Sequence, residues 1–287
     1  MATIPDALNL ALKHHQAGRL KEAEAVYRQI LQVQPQHPDA LHLLGVIAHQ
    51  SGHNDVAIEL ITKAIALDSS KAEYHNNLGN ALQEQGDLDE AVVCLRQAVA
   101  LNPGYAEAHA NLANALVRQG ILDEAVTSFR RALTLRPDFA DAHYNLGNTL
   151  QKQGMLKEAV ASYKRAVEIK PDFILAHMNL GDVLQEQGSL AEAVACYLRA
   201  LALTPDFADA YNNLGNALKA QGKPAEAVAC YRQALTLKPD CGAIHQSLGI
   251  ALQEQGELEA AVASYRRALA VDPDDARLHA NLATTLL

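Results

Sequence analysis

Two asparagines that stand three residues apart recur along the chain, and they are the side chains best placed to do chemistry. In the segment "HYNLGNTL" they are Asn145 and Asn148, and the spacing returns every 34 residues. From the third repeat onward, the asparagines at these two sites are Asn77, Asn80, Asn111, Asn114, Asn145, Asn148, Asn179, Asn213, Asn216 and Asn281. A side-chain amide offers donors and an acceptor, which match the N–H and C=O groups of an extended peptide. The predicted chemistry is therefore hydrogen bonding to a peptide backbone.

This stripe of amides has two interpretations. Each asparagine inside a helix costs about 0.5 kcal/mol relative to alanine, so some gain must offset the cost. In one interpretation the amides bind neighbouring repeats and keep them in register, since such side chains readily find local partners. In the other they bind a partner peptide. Tyr144, Leu175 and Met178 are predicted to lie together beside the stripe, either as an anchor pocket for one partner side chain or as an incidental apolar patch.

Histidine and cysteine are the other candidates for chemistry. Six histidines recur at one site of the repeat, too far apart to share a metal ion, and are predicted to fill space between paired helices: His75, His109, His143, His177, His245 and His279. A second group leaves an adventitious Zn or Ni site as an alternative: His14, His15, His42, His49 and His53. The four cysteines are predicted to be small core residues: Cys94, Cys196, Cys230 and Cys241. We expect no cofactor and no resident metal.

Catalysis and strongly acidic partners are not predicted. The sequence has no Gly-rich phosphate loop, HExxH helix or GxSxG elbow, the motifs that position catalytic groups, so we expect no enzyme activity. A net charge of -9 argues against nucleic acid and anionic membranes as partners, because both bind basic surfaces. The chain has no apolar run long enough to cross a bilayer and no leader-like start, so the expected location is the cytoplasm.

These side chains are positioned by a unit of 34 residues that is repeated from Ile4 without insertion or deletion. The repeats are 4–37, 38–71, 72–105, 106–139, 140–173, 174–207, 208–241 and 242–275, followed by a terminal helix, 276–287. Position 15 of each complete repeat is glycine and position 32 is proline in seven of the eight, so each repeat is predicted to be two antiparallel helices. Leucine at position 7, from Leu10 to Leu282, packs with small residues at positions 8, 20 and 27 and an aromatic at position 24.

The pattern resembles the tetratricopeptide repeat, whose period and Leu-Gly, Ala and Pro signature it shares over essentially the whole chain. The resemblance implies a right-handed superhelix whose first helices line a concave groove that holds partner proteins or peptides. The motif "NLGNxL…EAVxxYRxAL…PDFADA" is more similar to the repeat arm of O-GlcNAc transferase and its bacterial relatives, in which an asparagine ladder holds the backbone of substrate proteins. This implies the same role for Asn77, Asn111, Asn145, Asn179, Asn213 and Asn281, whereas Leu43 and Ser247 break the match.

We therefore predict one all-α, right-handed superhelical solenoid over 1–287, with eight helix pairs and one extra helix. The predicted function is a non-catalytic scaffold that binds an extended peptide in an asparagine-lined groove. One alternative is the substrate-recruiting arm of a larger O-GlcNAc-transferase-like enzyme; another is a self-assembling scaffold. In that alternative, homo-oligomers form through an uncapped apolar end (Leu282, Leu286, Leu287) or through an apolar N-terminal groove (Leu8, Leu12, Leu43, Val46), which is otherwise covered within the fold. Position 5 carries no lysine, so a clamp for a terminal carboxylate is not expected.

Overall fold

The computed structural model describes residues 3–286, and the part of the chain that it describes is entirely helical. Leu287, which we predicted to belong to the terminal helix, lies outside the described residues. The helices are α1 Ile4–Gln16, α2 Leu20–Val33, α3 Pro38–Gln50, α4 Asn54–Leu67, α5 Ala72–Gln85, α6 Leu88–Leu101, α7 Ala106–Gln119, α8 Leu122–Leu135, α9 Ala140–Lys152, α10 Leu156–Ile169, α11 Ile174–Glu186, α12 Leu190–Leu203, α13 Ala208–Ala220, α14 Pro224–Leu237, α15 Gly242–Glu254, α16 Leu258–Val271 and α17 Ala276–Leu286. The odd-numbered helices begin at position 1 of each repeat, so the sequence period is also the structural period.

The turn within each repeat depends on the glycine at position 15. All eight of these glycines have a positive φ, between 73° and 99°, a conformation that costs L-residues free energy because the Cβ approaches the backbone. At the end of α11, Gly188 N donates to Gln185 O at 3.0 Å and Ser189 N donates to Leu184 O at 2.8 Å. These bonds satisfy the last carbonyls of the helix and reverse the chain, as the sequence predicts.

Within each repeat the two helices approach closely because small residues face large ones. The alanines at positions 20 and 27 are fully buried. The glycine at position 8 lies against the side chain at position 24. A Cβ placed on Gly181, for example, would lie 2.6 Å from Tyr197 Cε1. The tyrosines and the phenylalanine at position 24 therefore form the centre of the core, as predicted.

The leucines at position 7 pack against the preceding repeat. Those in α3, α5, α7, α9, α11, α13 and α15 are buried, which agrees with the prediction. The prediction is wrong for Leu10, which is 49% exposed, because within the described residues α1 packs mainly on α2 and nothing covers its outer side. Leu282 in α17 is half-buried.

The chain divides into two compact units, and each is described by itself. Unit 1 contains α1 to α8 and unit 2 contains α9 to α17. Within each unit every helix packs on the helices before and after it. First helices of successive repeats also contact each other, as α5 contacts α7 and α11 contacts α13. Side chains on neighbouring first helices are thereby brought within hydrogen-bonding reach. None of the helices between residues 3 and 286 is long and apolar enough to cross a lipid bilayer.

Candidate functional site

Two position-6 asparagines of unit 2, Asn179 and Asn213, hydrogen-bond to the repeat that precedes them. Asn179 Nδ2 donates to Asn148 Oδ1 at 2.8 Å and to Tyr144 Oη at 3.2 Å. One repeat later, Asn213 Nδ2 donates to Asp182 Oδ1 at 2.9 Å. In both cases an amide at position 6 of one first helix reaches the oxygen at position 9 of the previous first helix. The interpretation that these amides keep the repeats in register is therefore supported by the contacts.

The oxygen at position 9 accepts a second hydrogen bond, from the tyrosine at position 24 of its own repeat. Tyr163 Oη donates to Asn148 Oδ1 at 2.7 Å, Tyr197 Oη to Asp182 Oδ1 at 2.7 Å, and Tyr231 Oη to Asn216 Oδ1 at 2.8 Å. The hydroxyl reaches this oxygen because the ring lies across the glycine at position 8. At Asn148 and Asp182 one oxygen atom thus joins a pair of helices to the next pair. This link was not predicted, although the recurring tyrosine was visible in the sequence.

These bonds fix which amide atoms remain available. A carboxylate only accepts hydrogen bonds, so Asn213 must direct its Nδ2 toward Asp182, and its Oδ1 accepts one long bond from Asn212 Nδ2 at 3.4 Å. On the other side, the Oδ1 of Asn148 is used twice and its Nδ2 has no partner among the described residues, yet it is not enclosed. The same holds for the Nδ2 of Asn216. Unit 2 therefore presents acceptor oxygens from position 6 beside donor N–H groups from position 9. We call these side chains the amide surface.

In unit 1 the amides form a chain that runs in one direction. Asn111 Nδ2 donates to Asn76 Oδ1 at 2.9 Å, Asn76 Nδ2 to Asn77 Oδ1 at 3.1 Å, and Asn77 Nδ2 to His42 Nε2 at 2.9 Å. Asn76 stands at position 5 and was not among the predicted residues. It is buried, and His42 and Tyr144, at the same position of their repeats, also accept from a position-6 asparagine. In both bonds between repeats the donor again belongs to the later repeat, so the chain points toward the N-terminus.

The remaining predicted asparagines lie on the same faces of their helices. Asn80, Asn114 and Asn145 are half-buried. The residue at position 24 opposite Asn80 is Leu95, which supplies no hydroxyl to it. Asn281 is half-buried in α17, where its backbone oxygen accepts from Thr285 Oγ1 at 2.7 Å. The amide surface is therefore present in both units but differs from repeat to repeat.

The predicted apolar anchor is only partly open. Tyr144 is half-buried and packs against Phe173, with ring centroids 4.8 Å apart. Leu175 is 53% exposed, whereas Met178 is only 6% exposed. Met178 was predicted to face a partner, but it lies beneath the surface because α11 packs closely in the stack. The accessible apolar surface beside the amides is thus formed by Tyr144, Phe173 and Leu175.

The histidines at position 4 have a structural role. His177 Nε2 donates to Pro171 O at 3.0 Å and His245 Nε2 donates to Pro239 O at 2.7 Å. Equivalent bonds are made by His75, His109 and His279. These side chains hold the loop before their own helix, rather than only filling the space between helices as predicted. Since a carbonyl only accepts, the proton is on Nε2 in each case.

Among residues 3–286, no three His, Cys, Asp or Glu side chains come close enough to share a metal ion. The N-terminal histidines therefore form no three-ligand group within the described chain. His15 instead contacts Gln50, and His49 contacts Asn54. The four cysteines are free and half-buried, and burial raises the pKa of the Cys196 thiol to about 11. The Cys196 thiol is a poor nucleophile because little thiolate is present near neutral pH.

Two ionisable side chains of the amide surface are perturbed by burial. Burial raises the pKa of the Asp182 carboxyl, an effect that the hydrogen bonds from Tyr197 and Asn213 oppose. Burial also lowers the pKa of His42 to about 4, against the attraction of nearby Asp39, while His15 lowers it further. His42 is 6% exposed and stacks on Tyr74 at 4.3 Å. It is therefore neutral near pH 7, with Nε2 free to accept from Asn77.

Comparison with known protein families agrees with this architecture. The model described as "Cilia and flagella-associated protein 70 C-terminal domain", which is built of tetratricopeptide repeats, matches residues 6–211. The models "Tetratricopeptide repeat" and "TPR repeat" match residues 208–241 and 249–287. The chain belongs to the tetratricopeptide repeat family. No curated protein matches it.

Solved structures similar to this tetratricopeptide repeat protein include three useful comparisons. YrrB, described as "a TPR protein with an unusual peptide-binding site", is 26% identical with a TM-score of 0.59, over 68% of this chain and 97% of that one. MamA is 28% identical with a TM-score of 0.51, over 56% of this chain and 94% of that one. The Cut9-Hcn1 structure of the APC/C is 18% identical with a TM-score of 0.59, over 93% and 53% of the two chains, and shows the shared fold alone. The closer similarity to O-GlcNAc transferase stays a prediction.

Proposed function

We propose that this tetratricopeptide repeat protein is a non-catalytic scaffold that binds an extended segment of a partner protein along its amide surface. The observation that carries the proposal is that the two polar atoms of a side-chain amide have different partners. Asn179 bonds the preceding repeat through Nδ2 and keeps Oδ1 available, whereas Asn148 bonds the next repeat through Oδ1 and keeps Nδ2 available. Asn213 also bonds the preceding repeat through Nδ2, and its Oδ1 accepts one long bond from Asn212 Nδ2 at 3.4 Å, which leaves one lone pair available. Asn216 Oδ1 accepts from Tyr231 of its own repeat, and its Nδ2 remains available.

An extended peptide presents an N–H and a C=O group at every residue, and these groups must be paired when they leave water. Acceptor oxygens at position 6 suit the peptide N–H groups, and donors at position 9 suit its carbonyls. Since the protein atoms are already held by their inter-repeat bonds, little conformational entropy is lost when the peptide binds. Such a surface recognises backbone and therefore tolerates many sequences.

Two further observations support a peptide as the ligand. Tyr144 and Leu175 offer an accessible apolar contact beside the amides, where one peptide side chain can be buried. YrrB, of similar fold and 26% identity, is described as having a peptide-binding site. We place the activity in the cytoplasm, because four free thiols suit a reducing compartment.

Substitutions at position 9 separate peptide binding from stability. Asp182 shows that a carboxylate at this position makes the same two bonds as an amide. The double variant Asn148→Asp, Asn216→Asp should therefore keep the inter-repeat bonds while losing both exposed donors and facing peptide carbonyls with negative charge. We expect its affinity for peptides to fall by about 10-fold or more, since a lost hydrogen bond and an unpaired polar group each cost about 1 kcal/mol.

The experiment uses the full chain and a display library of 15-residue peptides, whose tightest binder is labelled and titrated by fluorescence polarisation. The matched control is Asp182→Asn, which adds a donor at the equivalent position and should tighten binding or leave it unchanged. Thermal unfolding is measured on the same samples. Unchanged affinity in the double variant, with its fold intact, would show that the amides serve only the stack and that partners bind elsewhere.

A further inference from the structure

A cleft of about 380 Å³ lies between the second helices of repeats two and three, away from the amide surface. Its apolar walls include Ile58 on α4, Leu78 and Leu82 on α5, and Val93 on α6. Val93 is 66% exposed, the second most exposed of the large apolar side chains described. Five of the other repeats carry alanine at this position, 22, and none carries an aliphatic residue larger than alanine. Unit 1 thus exposes an apolar cleft that the repeat pattern does not require.

The cleft lies at a junction that lacks a recurring ion pair. At two later junctions, the cation at position 25 reaches the glutamate at position 19 of the next repeat. Arg96 Nη2 lies 2.9 Å from Glu124, and Lys164 Nζ lies 2.8 Å from Glu192. At the cleft, the residue at position 25 is Thr62, although six of the eight repeats have arginine or lysine there. Its counterpart, Glu90, is exposed and makes no ion pair or hydrogen bond within the described residues.

The junction between the first and second repeats also lacks this ion pair, but its arginine is paired in another way. There the glutamate is replaced by Val56, and Arg28 bonds Glu24 of its own helix at 2.8 Å. The charge left over is therefore satisfied within one helix. Glu90 has no such partner, while the neighbouring Asp89 is bonded by Gln119 Nε2 at 2.7 Å. The rim of the cleft is accordingly an unpaired carboxylate next to an open apolar wall.

We propose that this cleft docks an α-helical segment of a partner protein, by inserting an aliphatic side chain between α4 and α6 and placing an arginine or lysine against Glu90. The partner's cation would take the place that Arg96 and Lys164 occupy at other junctions. A helix is required because the cleft offers only the Thr62 hydroxyl and two carboxylates as polar groups, so the backbone of the ligand must satisfy its own hydrogen bonds. This surface is separate from the amide surface and binds a different kind of segment.

The test uses two labelled helical peptides of alanine and glutamine that differ at one position. Each carries a central leucine, followed four residues later by arginine in one and by glutamate in the other. Because opposite charge favours and like charge opposes binding, we expect the arginine peptide to bind the full chain about 10-fold more tightly at low salt. That preference should shrink as salt is raised, since surface charges are screened.

Three variants assign the binding to the cleft. Thr62→Arg restores the ion pair to Glu90, as in the later junctions, and should abolish the preference for the arginine peptide without harming the fold. Val93→Ala reproduces the residue of other repeats and should weaken the arginine peptide about 10-fold, roughly the loss of buried aliphatic contact. Asn111→Ala, on the amide surface, should leave its affinity unchanged. Equal binding of the two peptides, no measurable binding of either, or insensitivity to Thr62→Arg would overturn the proposal.

Discussion

The buried imidazole of His42 should make unit 1 lose stability in mild acid. In the folded protein the pKa of His42 is lowered to about 4 by burial, whereas an unfolded histidine titrates near pH 6.5. Between these values the unfolded chain binds more protons than the folded chain, so the free energy of unfolding decreases as the pH falls through this window. Protonation would also place a donor at Nε2, facing the Asn77 amide that donates to it.

The size of the effect follows from the width of that window. A separation of about 2.5 pKa units corresponds to about 3 kcal/mol when the transition is complete, of which about 2 kcal/mol is lost between pH 7.5 and pH 5. This is a large part of the stability of a small domain. The charges of Asp39 and His15 have opposite effects on the pKa of His42, and burial has the largest effect.

The assay compares the wild-type protein with His42→Gln at pH 7.5 and pH 5. Glutamine can place an acceptor oxygen near the position of Nε2 and does not titrate. Because repeats unfold partly independently, amide hydrogen exchange in α3 and α5 is measured together with urea unfolding. We expect the variant to be less stable at pH 7.5 but to lose about 2 kcal/mol less on acidification. Equal losses in the two proteins would refute the reasoning, and His53→Gln, at an exposed histidine, controls for general effects of histidine removal.

Two further predictions concern the core. Gly181→Ala should destabilise unit 2 by about 1–3 kcal/mol, because its Cβ would lie 2.6 Å from Tyr197 Cε1 and the ring must move; an unchanged melting temperature would show that the ring adapts freely. Tyr27→Phe should leave stability unchanged or raise it, because this hydroxyl is buried without a partner, whereas Tyr231→Phe should cost about 1 kcal/mol through its lost hydrogen bond. Urea unfolding of both variants tests the pair, and equal effects would contradict it.

Much of the fold could be predicted from the sequence because its causes are local and repeated. The glycine at position 15 and the proline at position 32 mark the helix ends, and the pairing of small and large residues marks the core. The exposure of Leu10 was not predicted, because the repeat pattern says nothing about whether a neighbour covers it. Met178 was misplaced for a related reason: a face assigned by helix periodicity does not reveal how closely the next helix packs.

The candidate site was predicted in its residues but not in its bonding. The sequence shows an amide at positions 6 and 9, yet the direction of each amide depends on the partners that the fold supplies. The tyrosine hydroxyl that donates to Asn148 Oδ1 lies 15 residues away in sequence. Asn76 accepts a hydrogen bond from Asn111 because the fold brings the two side chains together. The missing partner of Glu90 could be seen in the sequence, because Thr62 stands where six of the eight repeats have arginine or lysine. The apolar cleft beside it could be seen only in the structure.

The direction of the amide hydrogen bonds affects how many repeats the array can contain. In the four junctions where they are seen, the later repeat donates and the earlier repeat accepts, at Asn77, Asn111, Asn179 and Asn213. A repeat with a donor on one side and an acceptor on the other can be duplicated or deleted in units of 34 residues without leaving either group unmatched. The eighth repeat is different, since it has Ser247 and Ile250 at these positions, and Ser247 bonds its own helix. Lengthening or shortening the array should therefore be tolerated within repeats five to seven and resisted across the start of the eighth.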